Sequence, residues 1–207
     1  MPISDTAAAT AYLAAVDPVL AAVIQRTGPC GLRPPWGQTL FDALLRSIVY
    51  QQLSGKAAAT ILARVVALYA PSPTPDPAVM LATDEALLRS AGLSRNKTLA
   101  LKDLARHAIA GTIPTLAEAR ALSDDELVER LTVIRGIGRW TVEMLLIFRL
   151  GRLDVLPLDD LGVRKGFQRA YGMRRLPAAV TIARRAARWR PYRSVASWYL
   201  WREAERP

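Results

Sequence analysis

The residues with the clearest capacity for chemistry lie between positions 131 and 160 of the 207-residue chain. Gly136 and Gly138 flank one isoleucine, and glycine serves where a chain needs positive φ or must let another group approach its backbone. Apolar residues with helical spacing precede and follow them, which predicts a tight turn between two helices. Amides in such a turn suit a phosphate, and Arg135 and Arg139 add positive charge. A purely structural turn is the alternative interpretation.

A carboxylate follows this turn at Asp160, directly after Asp159. Either aspartate could cap a helix beginning at Leu161, because a carboxylate accepts hydrogen bonds from the unpaired amides of a first turn. A cap does not explain the association with a phosphate turn and with aromatic side chains that can stack on bases. Those aromatic residues are Trp140, Trp189, Tyr192, Trp198, Tyr199 and Trp201.

The charge of the chain favours a polyanionic partner. Lysines and arginines number 28 against 18 aspartates and glutamates, for a formal net charge of +10. Residues 161–202 include eleven basic side chains and no acidic one. The sequence has no apolar run of about 18 residues that could span a bilayer. We therefore expect nucleic acid rather than a membrane as the partner.

Compartment and cofactor expectations follow from the N-terminus and the cysteine content. Met1 to Asp5 lack the basic and apolar segments of a signal peptide, which predicts a cytoplasmic, nucleoid-associated protein. A single cysteine, Cys30, excludes an internal disulfide and a four-cysteine zinc or iron–sulfur site supplied by this chain. We expect no required cofactor and no iron–sulfur cluster.

The elements that must position these residues are predicted to be helices, and the fold class to be all-α. Alanine- and leucine-rich windows recur with helical period, without convincing strand alternation. The predicted helices are Thr6 to Ala22, Thr39 to Tyr69, Thr83 to Ala91, Leu99 to Ala110, Leu116 to Leu122, Asp124 to Val133, Trp140 to Leu150, Leu161 to Tyr171, Pro177 to Trp189 and Ser194 to Glu205. Pro71 to Pro77 predicts an exposed connection, and Ser123 predicts the N-cap of the helix before the glycine turn.

Taken together, these motifs resemble the 3-methyladenine DNA glycosylase II (AlkA-like) family of the helix-hairpin-helix/Gly-Pro-Asp DNA glycosylase superfamily. In this resemblance Gly136-Ile137-Gly138 is the hairpin and Asp160 the family's aspartate. Further matches are Gln51-Gln52-Leu53-Ser54 with Ala57 and Ala58, Gly92-Leu93-Ser94 with Lys97, and Trp189-Arg190-Pro191-Tyr192-Arg193-Ser194 ending in Trp198-Tyr199-Leu200-Trp201-Arg202. The resemblance extends from about Trp36 to Arg202.

The resemblance implies a monofunctional DNA glycosylase of base excision repair. Such an enzyme flips an alkylated base out of double-stranded DNA, hydrolyses its N-glycosidic bond and leaves an abasic site. The implied substrates are 3-methyladenine, 7-methylguanine and ethenoadenine, with 1-methyladenine or 3-methylcytosine as further candidates. An N3- or N7-alkylated purine leaves as a neutral base, so the site must mainly stabilise a cationic sugar, which a carboxylate can do.

Asp160 is the implied catalytic residue. Members of the superfamily have an aliphatic residue three positions after the catalytic aspartate; Val163 fits Asp160, whereas Gly162 would follow Asp159. Whether Asp160 stabilises the cation directly or orients the attacking water stays open. Trp140 occupies the position at which lyase members have a lysine, so no lyase activity is expected.

The resemblance also assigns residues to the base pocket and the DNA surface. Those of the pocket are Trp140, Trp201 and Tyr50, and those of the DNA surface are Gln51, Gln52, Leu53, Ser54, Arg135, Gly136, Gly138, Arg139, Thr141 and Lys165. The residue that wedges into the duplex is expected at Gln52, with Leu53 as the alternative. A structural Na⁺ or K⁺ is implied at the hairpin, on the backbone carbonyls of Thr132, Ile134 and Ile137.

We expect one compact helical unit over residues 1–207 with two lobes and the active-site cleft between them. The expected lobes are residues 36–145, a helical bundle ending in the hairpin, and residues 1–35 with 146–207. We expect a monomer without the extra N-terminal α/β domain of larger members. Two alternatives are a non-catalytic helix-hairpin-helix DNA-binding module and a glycosylase for oxidised or mismatched bases.

Overall fold

The computed structural model describes residues 6–32 and 39–206, and within them every regular element is helical. This confirms the predicted all-α fold class. The α-helices are α1 (Thr6–Val16), α2 (Pro18–Thr27), α3 (Leu40–Tyr50), α4 (Gly55–Ala67), α5 (Pro77–Ala82), α6 (Glu85–Ser90), α7 (Arg95–Ile109), α8 (Leu116–Ala121), α9 (Asp124–Thr132), α10 (Arg139–Phe148), α11 (Leu161–Ala170), α12 (Ala179–Ala186) and α13 (Arg193–Glu205), with a 3-10 helix at Ala187–Trp189. None of these helices has the length and apolar character that a membrane span requires.

The described residues divide into two compact units, and the division falls within α10. One unit contains residues 39–145, and the other contains residues 6–32 and 146–206. The boundary that we expected near residue 36 lies outside the described residues.

In the unit of residues 39–145, α3 and α7 pack together. Their apolar faces supply fully buried side chains, including Leu44, Ile48, Leu101 and Leu104. Removing such side chains from water is the main stabilising contribution to a helical core. Since α3 ends at Tyr50 and α7 begins at Arg95, this packing fixes the start of the 51–54 segment beside the first turns of α7.

In the other unit, α11 and α13 pack most closely. Gly166 of α11 lies against the backbone of Leu200 on α13, where a β-carbon would overlap the Leu200 carbonyl group. The large aromatic side chains of Trp189 and Tyr199 are fully buried. The prediction that both could stack on bases is wrong, because both side chains are buried in the core.

Three details of the sequence prediction are also wrong. The predicted helix from Thr6 to Ala22 is two helices, because Asp17 adopts an extended conformation and caps α2, with Pro18 at its first position. The predicted helix from Thr39 to Tyr69 is interrupted between α3 and α4, where Gln52 has φ +58. Pro75, expected in an exposed connection, is buried.

Candidate active site and nucleic-acid interface

The glycine turn joins α9 to α10 as predicted. Ser123 begins α9 with a capping box, in which its hydroxyl accepts from the Glu126 amide and the Glu126 carboxylate accepts from the Ser123 amide. At the other end, Gly136 has φ +82, a conformation that side chains other than glycine rarely adopt. The carbonyl of Gly138 accepts from the Val142 amide and begins the hydrogen bonding of α10.

Space around the two glycines differs. A β-carbon at Gly136 would lie 3.3 Å from the β-carbon of Ala100, so this side of the turn is packed against α7. A β-carbon at Gly138 would meet nothing within 4 Å. Ile134 and Ile137 are buried beneath the turn, at 1% and 4% exposure. The turn therefore has a packed side and an open side, and a phosphate could approach the open one.

The arginines beside the turn are exposed. Arg135 extends into solvent, whereas its backbone amide donates to Asp103 Oδ2 at 2.7 Å. The Arg139 guanidinium lies 3.8 Å from Asp125 Oδ1 and 4.0 Å from Glu143 Oε1. The Asp125 pair is exposed and both pairs are long, so they hold the Arg139 side chain weakly and Arg139 can turn towards an anion.

The 51–54 segment leaves α3 beside the glycine turn. The side-chain amide of Gln51 donates to the Gly136 carbonyl at 2.8 Å. Gln52 and Leu53 are exposed, and both are therefore available as the predicted wedge. Ser54 is the N-cap of α4 and accepts from the Ala57 amide at 3.4 Å. One side chain thus joins two segments that the sequence predicted to contact DNA.

A cavity of about 470 Å³ opens in the same unit. It is lined by Arg46, Ser47, Tyr50, Gln51, Gln52, Trp140, Thr141 and Met144. Two of the predicted pocket residues, Tyr50 and Trp140, therefore border one cavity, and Trp140 is 46% exposed. Thr141, predicted to contact DNA, lines the cavity with 4% exposure.

Arg46 is a cavity residue that was not predicted from the sequence. Its guanidinium carbon lies 3.9 Å from the centre of the Tyr50 ring, which is a cation–π contact. The spacing of Arg46 and Tyr50 at i and i+4 on a helix could have indicated this pair. Arg46 gives the cavity a planar hydrogen-bond donor beside an aromatic face.

Asp160 lies in the other unit, at the start of α11. Its Oδ1 atom accepts from the Val163 amide at 2.7 Å, so Asp160 is the N-cap of the helix. The same oxygen accepts from Trp201 Nε1 at 2.7 Å. The interpretation of Asp160 as a helix cap is therefore correct. The same carboxylate also contacts Trp201, a residue predicted to line the base pocket. Asp159 is exposed, whereas Asp160 is partly buried.

An aromatic pair stands beside this carboxylate. The rings of Trp201 and Phe148 are stacked, with centroids 5.5 Å apart and planes inclined by 25°. Phe148, at the end of α10, is 45% exposed. Phe148 was not predictable as a site residue, because nothing in the local sequence pattern distinguishes it from the other apolar residues of its helix.

Part of the basic segment, residues 161–202, stabilises the fold. Six of its side chains form ion pairs or hydrogen bonds within the protein, namely Arg164, Arg169, Arg185, Arg190, Arg193 and Arg202. Lys165, Arg174, Arg175, Arg184 and Arg188 are exposed. The exposed group, which includes the predicted DNA contact Lys165, is suited to neutralising phosphates.

No group of three or more histidine, cysteine, aspartate and glutamate side chains is arranged for a metal ion within residues 6–32 and 39–206. An ion at the hairpin would instead use backbone oxygens. Of the three predicted carbonyls, that of Ile134 accepts from the Ile137 amide at 3.0 Å. A carbonyl oxygen has two lone pairs, so this hydrogen bond leaves it able to face a cation.

Comparison with known proteins gives a family match over most of the chain. Residues 45–191 match the model of the HhH-GPD superfamily base excision DNA repair protein. The matched range includes the 51–54 segment, the glycine turn and Asp160. It ends before Trp201.

Individual relatives are similar over a larger share of the chain. The chain is 41% identical over 165 residues to DNA-3-methyladenine glycosylase 1 of Schizosaccharomyces pombe, covering 80% of this chain and 72% of that protein. It is 31% identical over 199 residues to the alkylbase DNA glycosidase-like protein mag2 of the same organism, covering 96% and 93%. A solved structure of the S. pombe 3-methyladenine DNA glycosylase Mag1 with abasic DNA superposes with a TM-score of 0.83 at 37% identity, covering 94% of this chain and 95% of that chain.

Proposed function

This chain belongs to the HhH-GPD superfamily of base excision DNA repair proteins and is an N-glycosyl hydrolase of the DNA-3-methyladenine glycosylase type; within that class, we propose that Asp160 is its catalytic residue. The predicted family and enzyme class are thereby confirmed. The proposal adds the roles of individual residues, the lesions accepted and the absence of strand cleavage.

The observation that carries the proposal is the hydrogen bond from Trp201 Nε1 to Asp160 Oδ1 at 2.7 Å. Together with the Val163 amide, the indole fixes one oxygen of the carboxylate in place. A fixed negative charge stabilises a cationic sugar without reorganising during the reaction. The stacked Phe148 and Trp201 rings give the same site an aromatic surface.

Hydrolysis then needs little help at the leaving group. A base alkylated at N3 or N7 is cationic, so breaking its bond to C1′ moves the electron pair onto the base and releases it neutral. Positive charge develops at C1′, where we place the Asp160 carboxylate. The oxygen of a water molecule then bonds to C1′, and that water loses a proton to the solvent. A neutral, unmodified purine lacks this driving force and would need a proton donor.

The cavity in residues 39–145 supports recognition of an electron-poor base. Trp140 lines the cavity with an aromatic ring that attracts a cation, and Tyr50 adds a second ring, one face of which Arg46 covers. Arg46 would donate to acceptors on a purine edge, such as O6 of 7-methylguanine. We therefore propose 3-methyladenine and 7-methylguanine as substrates, with 1-methyladenine and 3-methylcytosine as weaker ones. Ethenoadenine is neutral, so we propose it on the family resemblance alone, and its release would need a proton donor.

We further propose that the protein acts as a monomer on double-stranded DNA and needs no redox cofactor. Na⁺ or K⁺ at the hairpin would be held by the carbonyls of Thr132, Ile134 and Ile137, because carbonyl oxygens suit hard cations. A bound ion would add positive charge where the turn meets a phosphate.

The test compares Asp160→Asn with Asp159→Asn. Asparagine is a good helix cap, so both variants should keep their fold. Each purified protein is incubated with methylated DNA, and released bases are identified by mass spectrometry. We expect wild type and Asp159→Asn to release alkylated purines, and Asp160→Asn to be slower by on the order of 100-fold or more.

DNA binding provides the second measurement. Asp160→Asn should bind an abasic duplex at least as well as wild type, since it removes a negative charge near the phosphates. Unchanged base release by Asp160→Asn would contradict the catalytic assignment. Strand cleavage by the wild-type protein would contradict the monofunctional assignment.

A further inference from the structure

One side of α7 contacts both segments that were predicted to bind DNA. Lys97, Ala100 and Asp103 are spaced three residues apart on this helix and therefore lie on one side of it. Lys97 contacts the start of the 51–54 segment, whereas Ala100 and Asp103 contact the glycine turn. All of these contacts lie within the unit of residues 39–145.

Lys97 fixes the point where the chain leaves α3. Its Nζ atom donates to the carbonyl oxygens of Val49 and Gln51, each at 2.7 Å. Carbonyls at the end of a helix have no partner within it, and a cation there also interacts favourably with the helix dipole. Burial lowers the pKa of Lys97. An ammonium that is partly removed from water in this way depends on its two carbonyl acceptors.

Gln51 continues the connection to the glycine turn. Its carbonyl accepts from Lys97, and its side-chain amide donates to the carbonyl of Gly136 at 2.8 Å. Gly136 is itself packed on α7, where a β-carbon would lie 3.3 Å from Ala100. The turn is therefore held from the 51–54 segment and from α7 at once.

Asp103 holds the turn from further along the same side of α7. Its Oδ2 atom accepts from the backbone amide of Arg135 at 2.7 Å, and its Oδ1 atom lies 2.6 Å from the Arg106 guanidinium. His107 also faces it, with Nε2 3.7 Å from Oδ2. Asp103 is 9% exposed, and its own helix keeps its carboxylate in place.

We propose that Lys97 and Asp103 are positioning residues, which hold the 51–54 segment and the glycine turn at one fixed separation for binding of damaged DNA. The inference rests on the proposed function, because it takes both segments to contact the substrate. A binding surface assembled before the DNA arrives avoids the entropic cost of ordering two loops on contact. Neither residue needs to touch DNA to have this effect.

A purely stabilising role for Lys97 is the competing explanation, and α7 contains a matched control for it. Lys102 also donates through Nζ to two carbonyls at a helix end, those of Leu81 in the last turn of α5 and of Thr83 just after it, at 2.8 and 2.5 Å. Lys102 has the same chemistry on the same helix, but it holds a segment with no predicted role in DNA binding.

The experiment measures the affinities of Lys97→Met and Lys102→Met for two duplexes of one sequence, one intact and one with a single abasic site. The ratio of the two affinities is compared with that of wild type. A partly unfolded sample binds both duplexes less, so loss of stability alone does not change the ratio. We expect Lys97→Met to lower the preference for the abasic duplex by about tenfold, as small misplacements of binding groups do. For Lys102→Met the ratio of affinities should stay within about twofold of wild type, because the 51–54 segment and the glycine turn keep their geometry.

A second pair of variants tests Asp103 independently and keeps the proposal testable if Lys97→Met does not fold. Asp103→Asn retains an oxygen that can accept from the Arg135 amide, whereas Asp103→Leu does not. We expect the asparagine variant to keep most of the preference and the leucine variant to lose it.

The proposal is wrong if Lys97→Met has the wild-type ratio, or if the two methionine variants lower the ratio equally. Equal binding of both duplexes by the wild-type protein would contradict it too. Failure of the proposed function would look different: the wild-type protein would release no alkylated base, whatever its preference between the two duplexes.

Discussion

Gly162 lies against the indole ring of Trp201. A β-carbon at position 162 would come within 2.7 Å of Trp201 Cδ1 and 3.0 Å of Asp160 Oδ1. One turn later, Gly166 meets the backbone of Leu200. The two glycines remove the side chains that would otherwise keep α13 away from α11. This close approach places Trp201 within hydrogen-bond distance of Asp160.

Gly162→Ala should therefore impair catalysis more than stability. The added methyl group forces the Trp201 ring or the Asp160 side chain to move, and loss of alignment in an active site costs on the order of 10- to 100-fold in rate. Both neighbours are side chains that can shift, so the unfolding free energy should fall by only about 1 kcal/mol. Single-turnover release of alkylated bases and thermal unfolding, measured on the same preparation, separate the two effects.

Gly166→Ala is the matching control, because there the methyl group would meet backbone rather than a movable side chain. We expect it to lower the unfolding free energy by about 3 kcal/mol or more. If Gly162→Ala lost stability as strongly as Gly166→Ala, or kept the full rate of base release, Gly162 would have no special relation to the Trp201 and Asp160 pair.

Trp201→Phe should separate stacking from hydrogen bonding. Phenylalanine can still stack on Phe148, but it cannot donate to Asp160 Oδ1 as the indole does. A hydrogen bond to a charged group contributes about 1.5–3 kcal/mol, so we expect base release to slow by roughly 10- to 100-fold. Binding to an abasic duplex should change little. The same rate in Trp201→Phe and wild type would show that the indole N–H does not orient the carboxylate.

Local chemistry explains which parts of the site were predictable from the sequence. Ser123 and Asp160 are caps, and Gly136 is a turn glycine; each follows from rules that act over a few residues. The helical spacing of Gly162 and Gly166 was equally visible, and it could have indicated close packing of α11 on another helix.

Other features depend on contacts between residues far apart in the chain. Asp103 meets the Arg135 amide across 32 positions, and Lys97 meets the Val49 carbonyl across 48. Periodicity places each of these residues on a helix but does not say which loop that helix supports. Phe148 and Trp201 are likewise far apart in the chain, and their stacking depends on the tertiary fold. Tertiary packing, which local rules do not encode, decides such pairings.

Asp17 should make stability depend on pH in acid. Burial opposes ionisation, but hydrogen bonds from Arg185, Tyr171 and Trp189 outweigh it and hold the pKa of Asp17 below its usual range. Because the pKa of Asp17 is lower in the folded protein than in the unfolded chain, the charged carboxylate stabilises the fold at any pH above the unfolded pKa of about 4. This stabilisation is lost as the pH falls through the pKa of Asp17 in the folded protein. Asp17→Asn should therefore cost about 3 kcal/mol at pH 7, and less below about pH 4.

Urea unfolding of wild type and Asp17→Asn between pH 7 and pH 3 measures this difference. Asp76→Asn is the control, since Asp76 caps α5 in an exposed position and asparagine caps nearly as well. We expect Asp76→Asn to stay within about 0.5 kcal/mol of wild type. A stability difference for Asp17→Asn that did not shrink in acid would exclude the charge of Asp17 as its cause.

Affinity for DNA should fall steeply with added salt, because each neutralised phosphate releases counterions. Lys165 is exposed on α11. Lys165→Gln should therefore reduce the slope of log affinity against log salt concentration by about one. Arg169 instead donates to the carbonyls of Ala204 and Arg206, and Arg169→Gln should leave the slope nearly unchanged. Binding titrations over a range of KCl concentrations test both. Equal slopes for Lys165→Gln and wild type would remove Lys165 from the DNA surface.

Trp140→Lys should not convert the protein into an efficient lyase, although lysine is the residue that lyase members have at this position. Trp140 is 46% exposed, so an amine there would remain hydrated and mostly protonated at neutral pH, whereas attack on C1′ requires the neutral amine. The variant should also lose an aromatic face of the cavity and release bases more slowly. Borohydride trapping on an abasic duplex measures any Schiff base, with wild type as the background. Strong trapping accompanied by strand cleavage would show that position 140 alone determines lyase activity, and the solvation argument would then be wrong.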